Sequence, residues 1–200
     1  MRPSRAEAFS DGVMAIAITL LVLDLRVPRV EHGLGAALLA QWPSYATYVI
    51  SFLTVGIIWL NHHMVFDRLR RVDRPLLLAN LVLLLVVALV PFTTQLLAAY
   101  LVRPEQGVAG AIYGANMAAM GTVFGGMWWY ALRRGGLLAR PVTRAEARAS
   151  IARFAVGNPL YALAIVLGFL DVRIGIVLYA AVAAYYAAFV RLPQVEPEPA

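Results

Sequence analysis

The stretch from Leu76 to Pro91 holds a single polar side chain, Asn80, in an otherwise unbroken run of Leu, Val and Ala. Few architectures can use such a run. Inside lipid the backbone N–H and C=O groups have no water to bond, so a segment this apolar must satisfy them internally, as a helix. About 30 Å of hydrocarbon takes about twenty residues at about 1.5 Å each. Six segments meet that requirement, at approximately 6–25, 44–64, 75–100, 107–132, 150–170 and 173–191. The expectation is an all-α integral membrane protein with six transmembrane helices, a single six-helix unit over residues 1–191 and no internal repeat. Composition agrees, at 62% hydrophobic and 14% charged, against about half and about a quarter in soluble domains. Pro91 predicts a kink near the far end of the third segment, and Asn158-Pro159 another in the fifth.

The net charge of +6 does not point to nucleic acid, because the charges lie between apolar blocks and form no stripe along one face. Their distribution carries topological information instead. Arg2, Arg5, Arg68, Arg70, Arg71, Arg74, Arg133, Arg134, Arg140, Arg144, Arg148, Arg153 and Arg191 fall on one side of the alternating segments, and Arg26, Arg29, Arg103 and Arg173 on the other. The positive-inside rule then places both termini in the cytoplasm, as an even number of spans requires, with the chain in the cell (inner) membrane. Glu7 and Asp11 interrupt the first apolar segment, and Asp24 to Pro28 is no small-residue cleavage site, so this segment reads as a helix and not as a leader. The acidic, proline-rich residues 192–200 are expected to be a disordered cytoplasmic tail.

Ionisable and polar side chains are expensive within lipid and call for a reason. They concentrate in two places: Ser10, Asp11, Thr19 and Asp24 on the first segment, and Trp59, Asn61, His62 and His63 at the end of the second. At 100° per residue Ile16, Leu20 and Leu23 fall within about 60° of one another, flanked by Val13 and Thr19, while Asp11 projects about 140° from Ile16. Spacing alone allows the stripe to face lipid, a neighbouring helix or a pore axis. Asp11 is thereby better suited to a buried anchoring network than to ion coordination, and a histidine at the same depth could meet it. His62 and His63 could equally cap helix carbonyls at the interface. Adjacent histidines point about 100° apart and no third ligand is evident, so no metal site and no cofactor are expected. Trp128, Trp129 and Tyr130 read as an interfacial aromatic belt, and Gly110-x-x-x-Gly114 and Gly121-x-x-x-Gly125 as close-packing surfaces. No cysteine, phosphate loop or placed nucleophile and base is present, which argues against an enzyme.

The segment Arg5-Ala-Glu-Ala-Phe9-Ser10-Asp11-Gly-Val-Met-Ala-Ile16-Ala-Ile-Thr19-Leu20-Leu-Val-Leu23 resembles the signature that opens the first helix of the transmembrane protein 175 family, potassium-permeable channels of endosomes and lysosomes with bacterial relatives. One six-helix unit per chain resembles the bacterial form, which assembles as a homotetramer. The resemblance implies that four copies of the first helix line a pore, that Ile16 forms its hydrophobic constriction with Leu20 and Leu23 further along, and that Thr19 lines it one turn away. It also implies that Arg5, Phe9, Ser10 and Asp11, together with Trp59 and one of His62 and His63, fasten the first helix to its neighbours. The expected function is a potassium channel of modest potassium-over-sodium preference, whose partners are its own copies, membrane lipid and permeant monovalent cations, with no nucleic acid. The rival reading is a proton-coupled secondary transporter that uses Asp11 and His62 or His63 as a relay, against which stands the lack of an internal repeat.

Overall fold

The computed structural model describes residues 2–134 and 136–189. The proline-rich segment 192–200 and Arg191 lie outside the described residues. Among the described residues nine α-helices follow in order: α1 (Pro3–Leu20), extended by a 3-10 turn (Leu21–Asp24), α2 (Leu34–Ala40), α3 (Trp42–Phe66), α4 (Arg74–Ala88), α5 (Val90–Tyr100), α6 (Gln106–Arg133), α7 (Arg144–Ala155), α8 (Gly157–Gly168) and α9 (Val172–Phe189). The fold is all-α, and the one β feature among the described residues is an isolated antiparallel bridge between Leu69 and Leu138.

Among the described residues four helical stretches are long and apolar enough to cross a membrane: Pro3–Asp24, Trp42–Phe66, Arg74–Tyr100 and Arg144–Gly168. Helix α6, at 28 residues, has the length, but its glycines, Tyr113 and Asn116 lower its mean hydropathy. The apolar stretch Val172–Ala188 is shorter.

Proline chemistry divides two of the expected segments. A proline has no N–H for the carbonyl four residues back and clashes with it. Pro91 therefore ends α4 at Ala88 and opens α5, with Leu89 between them, and Pro159 sits in the first turn of α8, separated from α7 by Val156. The segment expected at 150–170 instead begins at Arg144. There Thr143 and Glu146 form a reciprocal capping box that starts α7. At α4, Asp73 caps the helix by accepting from Leu76 N at 3.2 Å and also accepts from the Tyr130 hydroxyl at 2.8 Å.

Helix α6 is the hub, packed against α4, α5, α8 and α9. Its buried residues Tyr113, Met117, Met120, Phe124, Met127 and Trp128 recur at the three- and four-residue spacing of one helical face. Its glycines let the neighbours approach closely: a β-carbon on Gly114 would lie 2.6 Å from Ile165 Cγ1 and would also strike the Tyr179 hydroxyl. Of the expected aromatic belt only Trp129 is exposed, under the Arg133 guanidinium at 4.8 Å. Trp128 is buried and donates to Ser150 at 2.9 Å, because α7 folds back over that end of α6. Buried hydroxyls join the interior further along, Thr94 donating to Ser51 at 2.7 Å and Ser51 pairing with the Tyr113 hydroxyl at 3.0 Å.

Candidate functional site

Helix α1 has two unlike faces. Ala6, Ser10, Met14, Ala17 and, in the following turn, Leu21 are buried, at spacings of three and four that keep them on one side. That side lies against α3 and α4. The opposite side is uncovered: Ile16 is 62% exposed, Leu23 71% and Leu20 44%, with Phe9 and Thr19 exposed beside them. In water or in lipid the single chain thus leaves a ridge of large apolar side chains with nothing against it.

Thr19 spends its hydroxyl proton on its own helix, donating to Ile16 O at 2.9 Å. Its oxygen therefore presents lone pairs outward, the arrangement that suits a cation. Beyond it, Asp24 has one carboxylate oxygen buried with no hydrogen-bond partner, and no ion pair joins it to Arg26 among the described residues.

The buried side is fastened by a directional chain of hydrogen bonds. Asn80 Nδ2 donates to Ser10 Oγ at 2.9 Å, and Ser10 Oγ donates to Ala6 O at 2.9 Å. Because the Asn80 amide nitrogen is committed to Ser10, its oxygen is the acceptor for His62 Nε2 at 2.9 Å. His62 is fully buried and stacks on Phe66 with ring centroids 4.1 Å apart. Its Nδ1 has no hydrogen-bond partner among the described residues. One amide on α4 thereby couples the end of α3 to the beginning of α1.

Two further links flank this chain. Trp59 Nε1 donates to Asp11 Oδ1 at 2.9 Å. His63 Nδ1 meets Glu7 Oε1 at 2.6 Å, and its other ring nitrogen lies 3.5 Å from Asp67. The two histidines are thus separated in role, His62 in the buried chain and His63 in a half-exposed ion pair. Neither is hydrogen-bonded to Asp11, so the meeting of carboxylate and imidazole expected there falls to Glu7 instead. Arg5 and Phe9 are exposed, with no side-chain hydrogen bond within the described residues. Asn61, grouped with these residues by position, is buried and donates to Ile57 O of its own helix at 2.8 Å.

Two members of the site escaped the sequence reading. Asn80 stood out as the single polar residue of the most apolar segment, which is the signal that could have assigned it: a buried amide must find partners. Glu7 was marked only as a charge interrupting the first apolar segment, which does not name its partner.

Comparison with known proteins places the chain among channels. Residues 5–91 match the model of a family described as endosomal/lysosomal potassium channel TMEM175. A protein of Streptomyces collinus named as a potassium channel is 48% identical over 185 residues, covering 91% of this chain and 90% of that protein. The crystal structure of a lysosomal potassium-selective channel TMEM175 homolog from Chamaesiphon minutus superposes with a TM-score of 0.86 at 36% identity, over 95% of this chain and 98% of that one. A cattle protein named as an endosomal/lysosomal proton channel is 33% identical over 162 residues, which are 76% of this chain and 34% of that protein.

Proposed function

Because the chain belongs to the TMEM175 channel family, we propose that it is a potassium-permeable channel formed by four copies, each contributing α1 to a central pore. The observation that carries this reading is the uncovered ridge of Ile16, Leu20 and Leu23 on the helix that bears the family signature. Four such ridges around an axis make a bore that is narrow and apolar, and apolar constrictions close by losing their water. Ile16 is the tightest ring. Thr19, with its oxygen turned outward, gives the ion a polar ring one turn on. No ring of backbone carbonyls is part of this design, so preference for potassium over sodium rests on the smaller dehydration cost of the larger ion, and selectivity is modest. The Asp24 carboxylate at the far end of α1 concentrates cations at the mouth.

In this reading the six helical segments all cross the cell membrane, α4 with α5 and α7 with α8 each making one crossing, and the arginine-rich end faces the cytoplasm. The His62–Asn80–Ser10 chain then serves as the anchor against which a pore helix is held. The transporter alternative needs a relay between Asp11 and a histidine, and Asp11 bonds Trp59 instead.

The test is electrical. Purified protein in planar bilayers is expected to give unitary current steps in potassium solutions, with a reversal potential shifted toward potassium when sodium is placed opposite. Saturable flux of low turnover without steps would point to a carrier, and inert vesicles under every gradient would end the channel reading.

A further inference from the structure

The end of the molecule that carries most of the arginines is organised by two connections far apart in sequence. The residues after α3 and those after α6 pair across the Leu69–Leu138 bridge: Arg70 N donates to Leu137 O at 2.8 Å and Ala139 N to Arg68 O at 2.9 Å. Arg71 Nε donates to Gly136 O at 3.0 Å. Gly136 has φ +82°, a backbone setting that side chains rarely adopt, and this turn bends the chain back toward α7. A cleft of about 460 Å³ opens beside the pairing.

It is lined by Arg134, Arg140 and Arg144 together with the half-buried apolar side chains Leu132, Leu138 and Val142. Arg140 and Arg144 are exposed and have no ion-pair partner among the described residues. Arg134 has a single distant one, Asp73 at 3.7 Å, and that same carboxylate oxygen already accepts from Tyr130. The carboxylate nearest in sequence, Glu146, is occupied in capping α7, accepting from Thr143 N and Oγ1 at 2.8 Å each. Neither Arg140 nor Arg144 is therefore engaged in a direct ion pair among the described residues. Helix α7 has no buried residue and places Arg148 one turn beyond Arg144 on the same side.

We propose that this cleft binds the phosphate of an anionic membrane lipid. Planar guanidinium groups take phosphate oxygens in pairs, and basic pockets between membrane helices on the cytoplasmic side are built for anionic headgroups. The apolar lining selects the lipid over free phosphate, since Leu132, Leu138 and Val142 suit the first methylenes of the acyl chains and give nothing to a bare anion. The inference rests on the membrane-crossing reading above and not on the pore.

The experiment follows thermal unfolding of the full chain in neutral detergent during titration with phosphatidylglycerol, with phosphatidylcholine and with inorganic phosphate. Phosphatidylglycerol is expected to raise the midpoint and the other two to leave it in place. The Arg140→Gln/Arg144→Gln variant should need about thirtyfold more phosphatidylglycerol for the same rise, while Arg26→Gln/Arg29→Gln, at the opposite end, should behave as the parent. An unchanged titration in the Arg140→Gln/Arg144→Gln variant, or an equal rise with inorganic phosphate, would overturn the proposal. Should that variant not fold, native mass spectrometry of the parent decides: retained phosphatidylglycerol in preference to phosphatidylcholine supports the site, and no preference removes it. Channel activity is not read in this experiment, so a failed pore and a failed lipid site are told apart.

Discussion

Replacing Asn80 with leucine would strip the acceptor from His62 Nε2 and the donor from Ser10 Oγ, both of them buried. His62 Nε2, left buried without a partner, costs about 1–3 kcal/mol, while Ser10 Oγ keeps its bond to Ala6 O. The Asn80→Leu variant should therefore unfold at a clearly lower temperature in detergent. Glu7→Gln, which weakens a half-exposed ion pair, should change stability by no more than about 1 kcal/mol. Equal losses in the two variants would mean that the buried chain is not the anchor. On the outward face, Ile16→Asn removes the most constricting apolar ring of the proposed pore and should raise potassium flux in proteoliposomes about tenfold or more, each factor of ten answering to about 1.4 kcal/mol of barrier. Unchanged flux in this and in the corresponding Leu20 and Leu23 variants would take the pore away from α1. The division of α1 into an apolar stripe and a polar back was legible from helical angles, because both depend only on 100° per residue. Which partner each polar group finds was not. Asp11 and Glu7 lie four residues apart on one helix, and only the rotation and depth of α3 decide that Trp59 meets the first and His63 the second.

Hydropathy pointed to where helices lie, since among the described residues each expected segment overlaps a helix or two in succession. The interruptions were harder to place. Pro91 and Asn158-Pro159 were visible as points of weakness, yet whether a proline bends a helix or ends it depends on what bonds the carbonyl it abandons, and that is a matter of neighbours. The charged beginning of α7 was missed for another reason. Its signal is the capping box at Thr143 and Glu146, whereas a hydropathy window registers only Arg144, Arg148 and Arg153 there. The glycines of α6 allow a test at this scale. Gly114→Val would drive a side chain into Ile165 and Tyr179 and should destabilise the protein by about 1–3 kcal/mol through overpacking. Gly126→Ala, with nothing within 4 Å of the added carbon, should keep or raise the unfolding midpoint, since alanine is favoured over glycine inside a helix by about 0.5–1 kcal/mol. Thermal unfolding of both variants separates close packing from a general effect of losing glycine.

For the whole molecule the decisive quantity is the number of chains around the proposed pore axis. Light scattering in detergent, corrected for the bound micelle, is expected to give four times the 21.8 kDa of one chain, and a monodisperse single chain would sink the central pore. No periodicity in one sequence could supply that number, because stoichiometry is set by the angle at which copies meet. The uncovered ridge on α1 also bears on how such an assembly comes into being. In the proposed tetramer a subunit leaving the ribosome must wait in the bilayer before it meets its fellows, and during that wait the proposed pore lining touches hydrocarbon. A lining of carboxylates or amides would be unstable there and would need a chaperone or immediate capture. Isoleucine and leucine rest among acyl chains without penalty, so newly made subunits are free to accumulate singly and to assemble at a pace governed by their concentration.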